Sequence, residues 1–315
     1  MLNLAEKYRP RHLGDIYGQE KTVSFFKSVI KHLDGSPRYF LISGSWGVGK
    51  TVLCRAFAQD LLGSLDPPYY LEIDSGEKRL QSDFDSLKDL MFQDVGGHKI
   101  VVLDECHLIC EASQSQLLKI VEDYYGPLFV FFATTDPHLV LPTLRSRLHH
   151  FSLSTFTPEQ LKEYSASLLV KEGLQVSGKA LSMAAINAQG HMRDMVKQLE
   201  LMAFQGEAEY LQFYDSAFRR IESFFADFSI GDKESVEGLS RFHPSELRSL
   251  IAWFFREEVI NPGGGHKGLI PRHLVPKCFA SYLRLMGLAG EPDDVFSALL
   301  VFRLQLRELA RSGAA

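Results

Sequence analysis

Gly44-Ser45-Trp46-Gly47-Val48-Gly49-Lys50-Thr51 is the stretch on which the fold reading turns. It sets two glycines with four residues between them ahead of a lysine and a threonine, the pattern of a phosphate-binding loop. The run before it, Arg38 to Ser43 (RYFLIS), reads as a short buried strand, and the stretch from Lys50 to Leu62 reads as a helix. A glycine-rich turn between a strand and a helix lets main-chain N–H groups curl toward an anion at the positive end of the helix. The expected ligand is therefore a nucleoside triphosphate. Lys50 is expected to reach its β- and γ-phosphates, and the Thr51 hydroxyl to ligate magnesium.

Two further apolar runs have the length and the β-branched or aromatic content of interior parallel strands. Lys99-Ile100-Val101-Val102-Leu103 ends in Asp104-Glu105, where Asp104 can face the magnesium ion and Glu105 can polarise an attacking water. Adjacent acids at a strand end are common on surfaces, and the glycine loop is what favours the chemical reading. Leu128 to Ala133 ends in Thr134-Thr135-Asp136-Pro137, which brings small polar side chains to the same edge. One of them could orient the water, or simply close the strand end by bonding local backbone. Residues 1–155 thus read as an α/β domain around a parallel sheet.

At 315 residues the chain exceeds one compact core, so two or three modules are expected. With 45% hydrophobic and 23% charged residues it has the composition of a globular protein. The longest apolar runs are too short to cross a bilayer, and the N-terminus has no basic-then-apolar pattern, so a cytoplasmic protein with no membrane partner is expected. A net charge of −5 gives no sign of a phosphate-coating domain, so any DNA contact must be local. The four cysteines lack the spacing of a disulfide framework or zinc ribbon. Cys106, His107 and Cys110 share one helical turn without a second cluster; they read as packing, and no zinc is expected.

Beyond residue 155 the pattern turns helical. Thr157-Pro158-Glu159 opens a helix, and residues 156–212 read as a small helical lid. Residues 213–315 read as an all-helical collar. In Asp293 to Arg311, Val295, Leu299, Phe302, Leu306 and Leu309 recur every three or four residues, with Phe296, Leu300 and Leu304 widening the stripe. That stripe fits either a bundle core or a contact with another subunit.

Together these pieces resemble the AAA+ ATPases, and more narrowly the clamp-loader ATPases of bacterial, phage and replication-factor-C type. The resemblance spreads over some two hundred residues. It starts at Lys7-Tyr8-Arg9-Pro10 and Asp15-Ile16-Tyr17-Gly18-Gln19-Glu20, similar to the signature that frames the adenine base, and implies that Tyr8, Arg9, Pro10, Ile16 and Tyr17 contact ATP. It adds Val52 to the loop residues Gly44–Thr51 and puts Thr135 at the sensor-1 position. Leu144-Arg145-Ser146-Arg147-Leu148 resembles the Ser-Arg-Cys motif, implying that Arg147 reaches a neighbouring subunit's ATP site, with Leu148 in place of the cysteine. Gly190-His191-Met192-Arg193-Asp194 resembles the sensor-2 motif, implying that Arg193 contacts the γ-phosphate in its own chain. The four-cysteine zinc module of the bacterial γ subunit is absent from the sequence between the loop and the acidic strand.

The resemblance further implies an ATP- and Mg2+-dependent ATPase working in a hetero-pentamer with other loader subunits, a sliding clamp and primer-template DNA. Lys78 and Arg79 are the implied phosphate-tracking pair on DNA, and Gln114 and Lys119 the implied relay to the ATP site. The rival readings are another AAA+ motor, such as a branch-migration helicase or a protein remodeller, and more distantly a small-molecule or nucleotide kinase.

Overall fold

A computed structural model describes residues 3–75, 91, 93–124, 126–226 and 251, with the backbone alone over 217–226. Lys78, Arg79, the glycine-rich stretch at 261–265, the apolar stripe at 293–311 and nearly all of the expected collar lie outside the described residues. Packing divides the described chain into two units, Asn3–Tyr164 with Gly190–Val196, and Ser165–Gln189 with the described residues from 197 on. The first unit therefore extends past residue 155 and takes in the segment that carries Arg193.

Among the described residues the first unit opens with the short helix α1 (Leu4–Lys7) and holds five strands: β1 (Tyr39–Ser43), β2 (Tyr70–Asp74), β3 (Lys99–Asp104), β4 (Leu128–Thr134) and β5 (His149–Ser152). All neighbouring pairs are parallel, in the order β2-β3-β4-β1-β5. Alternate residues along the strands feed opposite faces. Phe40, Ile42, Ile100, Val102, Phe129 and Phe131 join one apolar cluster with α2 (Glu20–Lys31) and α3 (Lys50–Leu62). Leu41, Val101, Leu103, Leu128, Val130 and Phe132 join another with α4 (Glu111–Asp123) and α5 (Pro142–Arg145). Because helices cover both faces, the interior strands are continuous apolar runs, and that is how the sequence displays them.

Phe26 shows how tightly one face is filled. It is fully buried, and its ring centroid lies 5.0 Å from that of Phe40, 5.2 Å from Phe151 and 5.5 Å from Phe57. Phe26→Ala is expected to cost about 3–5 kcal/mol, because the rigid strands and α3 cannot collapse into the void. Urea titration followed by far-UV circular dichroism checks this, and an unchanged midpoint would contradict the packing described.

Strands β1, β3 and β4 and the helix α3 lie where the sequence places them. Strands β2 and β5 carried no clear signal. Both are sheet edges; β5 is mostly exposed and β2 only partly covered, so neither needs an unbroken apolar run. α6 (Pro158–Glu172) begins at the Thr157-Pro158 signal.

In the second unit, α7 (Gly178–Asn187) is capped by the Ser177 hydroxyl, which accepts from the Ala180 N–H at 3.3 Å. α8 (Met192–Gln205) starts in the first unit; its part from Lys197 on meets α9 (Glu207–Ala226) through the buried Tyr210, whose hydroxyl donates to Gln198 Oε1 at 2.9 Å.

Candidate active site

The parallel order brings the C-terminal ends of β1, β3 and β4 to one edge, where loops rather than strands present side chains. Gly44 opens the loop after β1 at φ 150°, and a Cβ there would sit 2.7 Å from the Leu153 carbonyl oxygen, which is main chain and cannot yield. Only glycine fits. Gly49 caps α3 without a side-chain hydrogen bond, so no side chain of the cap competes for the first N–H groups of that helix. Lys50 is 6% exposed, and its ammonium donates to the carbonyls of Gly44 at 3.0 Å and Ser45 at 3.1 Å, holding the loop curled. Burial pulls its pKa below the ordinary lysine value, the carboxylates of Glu105 and Asp104 oppose that pull, and the nearby Arg193 adds to it. A positive charge held in reserve beside a second cation favours an anionic ligand.

The Thr51 hydroxyl donates to Asp104 Oδ2 at 2.7 Å, so the loop and the end of β3 are in direct contact. Two hard oxygens so close suit a magnesium ion. The Ser45 hydroxyl is buried in the same loop with no hydrogen-bond partner. Asp104 Oδ1 accepts the Glu105 N–H at 3.0 Å, and Glu105 itself adopts φ 48°, ψ 43°, an uncommon conformation for a non-glycine residue. That turn aims its carboxylate toward β4, where Thr135 Oγ1 donates to Glu105 Oε2 at 3.3 Å. His107 Nδ1 lies 3.0 Å from Thr134 Oγ1 and 3.4 Å from the same Glu105 oxygen. His107 thus has its own partners, and Cys110 pairs with Ser113 at 3.2 Å.

A cavity of about 270 Å³ runs from this polar end to an apolar end. Tyr8, Arg9, Pro10, Ile16 and Tyr17 line it with Gly47–Leu53, Asp104 and Arg193. Gly44, Ser45 and Trp46 shape the loop without lining the cavity, and Glu105 and Thr135 stand beside its polar end. At the apolar end Tyr17 stacks on Phe156 (18° between planes, 6.3 Å) and tilts against Tyr164 at 5.4 Å. Its hydroxyl donates to Glu163 at 2.7 Å, and burial with that carboxylate pushes its pKa up to about 12. A flat, apolar slot leading into a cationic, oxygen-lined end matches a nucleoside and its phosphates.

Leu4, Ala5, Gln19, Leu153, Phe156, Tyr164, Met192 and Val196 also line the cavity, and sequence reasoning singled out none of them as ligand contacts. Met192 and Val196 share a helix face at i, i+4 spacing, and Arg193 stands three residues before Val196, the spacing that makes those two neighbours. Leu153 and Phe156 follow the edge strand β5, which has no sequence signature. Arg147 does not line the cavity: its guanidinium pairs with Glu122 and donates to the Thr143 carbonyl at 2.9 Å. Gln114 is buried and ties two loops together, donating to the Ile109 carbonyl at 2.9 Å and accepting from the Leu141 N–H at 2.8 Å.

Residues 40–155 match the family model described as ATPase family associated with various cellular activities (AAA). The chain is 27% identical over 316 residues to the DNA polymerase III subunit gamma/tau of Mycobacterium bovis, covering 92% of this chain and 52% of that protein. It thus spans about half the length of that relative. Replication factor C subunit 4 of Saccharomyces cerevisiae is 27% identical over 200 residues, covering 62% of this chain and 61% of that one. Among solved structures, the RuvB Holliday junction branch migration motor of Thermotoga maritima superposes with a TM-score of 0.53 at 19% identity, covering 74% of this chain and 85% of its own. At that identity the likeness is one of fold.

Proposed function

Proceeding from an AAA-family ATPase domain over residues 40–155, we propose that the chain is an ATPase subunit of a DNA sliding-clamp loader, which uses ATP to open and place a processivity clamp on primer-template DNA. The observation that carries the reading is the single cavity edge on which Lys50, Thr51, Asp104 and Arg193 converge while Arg147 stands outside it. A chain built in this way holds its own nucleotide and has one arginine to spare for a neighbour's. The similarity to the gamma/tau and replication factor C subunits supports the loader over other AAA+ motors, whereas the branch-migration motor shares only the fold.

In this reading the apolar slot around Tyr8, Ile16 and Tyr17 takes adenine. The N–H groups of the loop and Lys50 take the phosphates, and Thr51 and Asp104 hold Mg2+. The ion would supply charge neutralisation on the triphosphate. Glu105 accepts a proton from the attacking water, with Thr135 keeping the carboxylate aimed, and Arg193 reads the γ-phosphate. Arg147 completes the site of the next subunit. The division into 1–155, 156–212 and 213–315, a hetero-pentamer with a second kind of subunit, and DNA contact through Lys78 and Arg79 are parts of the same proposal.

The test is the steady-state ATPase rate of the chain with its partner subunits, with and without primer-template DNA and cognate clamp. Strong stimulation by the two together is expected. A rate indifferent to both would sink the loader reading and favour another AAA+ motor.

A further inference from the structure

The indole of Trp46 belongs to the phosphate loop yet does not line the cavity, and 55% of the residue is exposed. One face of it is taken: the ring stacks on His191 with centroids 4.3 Å apart and planes 22° from parallel. His191 is 7% exposed, and its imidazole also hydrogen-bonds the Trp46 main chain. Its Nδ1 is buried with no partner, so the flat face and one hydrogen bond are what the ring offers. The next loop residue closes on the same place. Gly47 has φ 73°, and a Cβ there would lie 3.4 Å from His191 Cβ and 3.8 Å from Arg193 Cβ. His191 is in turn fixed from behind, since the Phe156 N–H donates to the Gly190 carbonyl at 2.9 Å, and a Cβ on Gly190 would meet Thr155 at 2.9 Å. Burial lowers the histidine pKa, Asp194 and the hydrogen bond to the Trp46 main chain oppose this, and Lys50 adds to it.

We propose that Trp46 and His191 form an aromatic clasp that fixes the start of α8 on the phosphate loop, making His191 a positioning residue that sets Arg193 over the γ-phosphate. This rests on the reading of Arg193 as the γ-phosphate contact. The physical argument is one of distance: a single residue, Met192, separates His191 from Arg193 along a helix start, so pinning the imidazole leaves the arginine little more than its own rotamers to lose on binding. Without the clasp, binding must also order the helix start, and only a ligand with a γ-phosphate bears that cost. Loss of the stacked pair is expected to show as a change of about tenfold in affinity, which corresponds to about 1.4 kcal/mol.

The experiment uses the full chain carrying Trp253→Phe, because the sequence has two tryptophans and this leaves Trp46 as the sole indole. ATP and ADP affinities are measured by calorimetry in that background with His191→Ala, His191→Phe, Arg193→Ala and the His191→Ala/Arg193→Ala pair. Expected is about tenfold weaker ATP binding in His191→Ala with ADP unchanged. His191→Phe, which keeps a ring and loses one hydrogen bond, stays within about threefold. The alanine effect vanishes once Arg193 is gone. Equal weakening of ATP and ADP, or an effect that persists without Arg193, would overturn the proposal by making His191 a support of the loop alone. A separate spectroscopic arm needs no nucleotide. Protonated imidazole quenches a stacked indole more than neutral imidazole does, so Trp46 emission should fall as pH drops below the ordinary histidine value, and His191→Phe should abolish the fall. Should the starting protein bind ATP and ADP alike, the γ-phosphate reading of Arg193 fails, and the emission arm still decides the clasp: quenching that survives His191→Phe removes it.

Discussion

Arg147→Ala is expected to lower the ATPase rate of the assembled protein by about 10³ to 10⁵, while the isolated chain binds ATP as before. The asymmetry follows from where the guanidinium stands. It is exposed, paired with Glu122 at the end of α4, and bonded at 2.9 Å to the Thr143 carbonyl one turn back. It takes no part in the lining of its own cavity, so its loss leaves Lys50, Thr51 and Asp104 undisturbed. An exposed ion pair contributes about 0–1 kcal/mol to stability, so the variant should also unfold near the wild-type temperature. The full effect requires that the arginine meet the transferring phosphoryl group of a neighbouring subunit, where it neutralises charge as that charge develops. Mixing Arg147→Ala subunits with catalytically dead subunits that retain Arg147 should recover part of the rate. A variant that hydrolyses ATP normally in the assembly would show that Arg147 is only a surface residue.

Glu105→Gln is expected to reduce turnover by about 10² to 10⁴ with ATP affinity retained, the size of a lost general base. Glutamine keeps the shape and can still accept from Thr135, which now donates to Glu105 Oε2 at 3.3 Å, but it cannot take a proton. The neighbouring carboxylate gives the contrast. Asp104 accepts from Thr51 at 2.7 Å and lines the cavity, so Asp104→Asn should raise the magnesium concentration needed for half-maximal rate as well as slowing the reaction. Single-turnover hydrolysis and nucleotide binding, measured on the same preparations across a magnesium series, separate the two. If Glu105→Gln instead lost ATP binding, its carboxylate would be structural, holding the strained turn after β3 rather than handling the water.

The signals that were legible in the chain are those that need particular residues next to one another. A loop that must curl around phosphates needs Gly44 where a Cβ would strike the Leu153 carbonyl, and it needs Lys50 and Thr51 at fixed steps after it. Interior parallel strands must be apolar on both faces, so β1, β3 and β4 stand out as unbroken runs. Edge strands escape that demand, and β2 and β5 left no mark.

What sequence by itself determined, then, is the local chemistry: a phosphate loop, two acids at a strand end, a pair of threonines, two arginines in suggestive settings. Tertiary structure alone decided which of these meet. It folds Gly190–Val196 back onto the loop unit, so that Arg193 shares a cavity with Lys50 across more than a hundred residues of chain, while Arg147 is left outside. It also lays His191 flat on Trp46. Such contacts depend on strand order and on which helix face is buried. Neither is written in any short stretch of sequence, because both are fixed only when distant apolar surfaces leave water together.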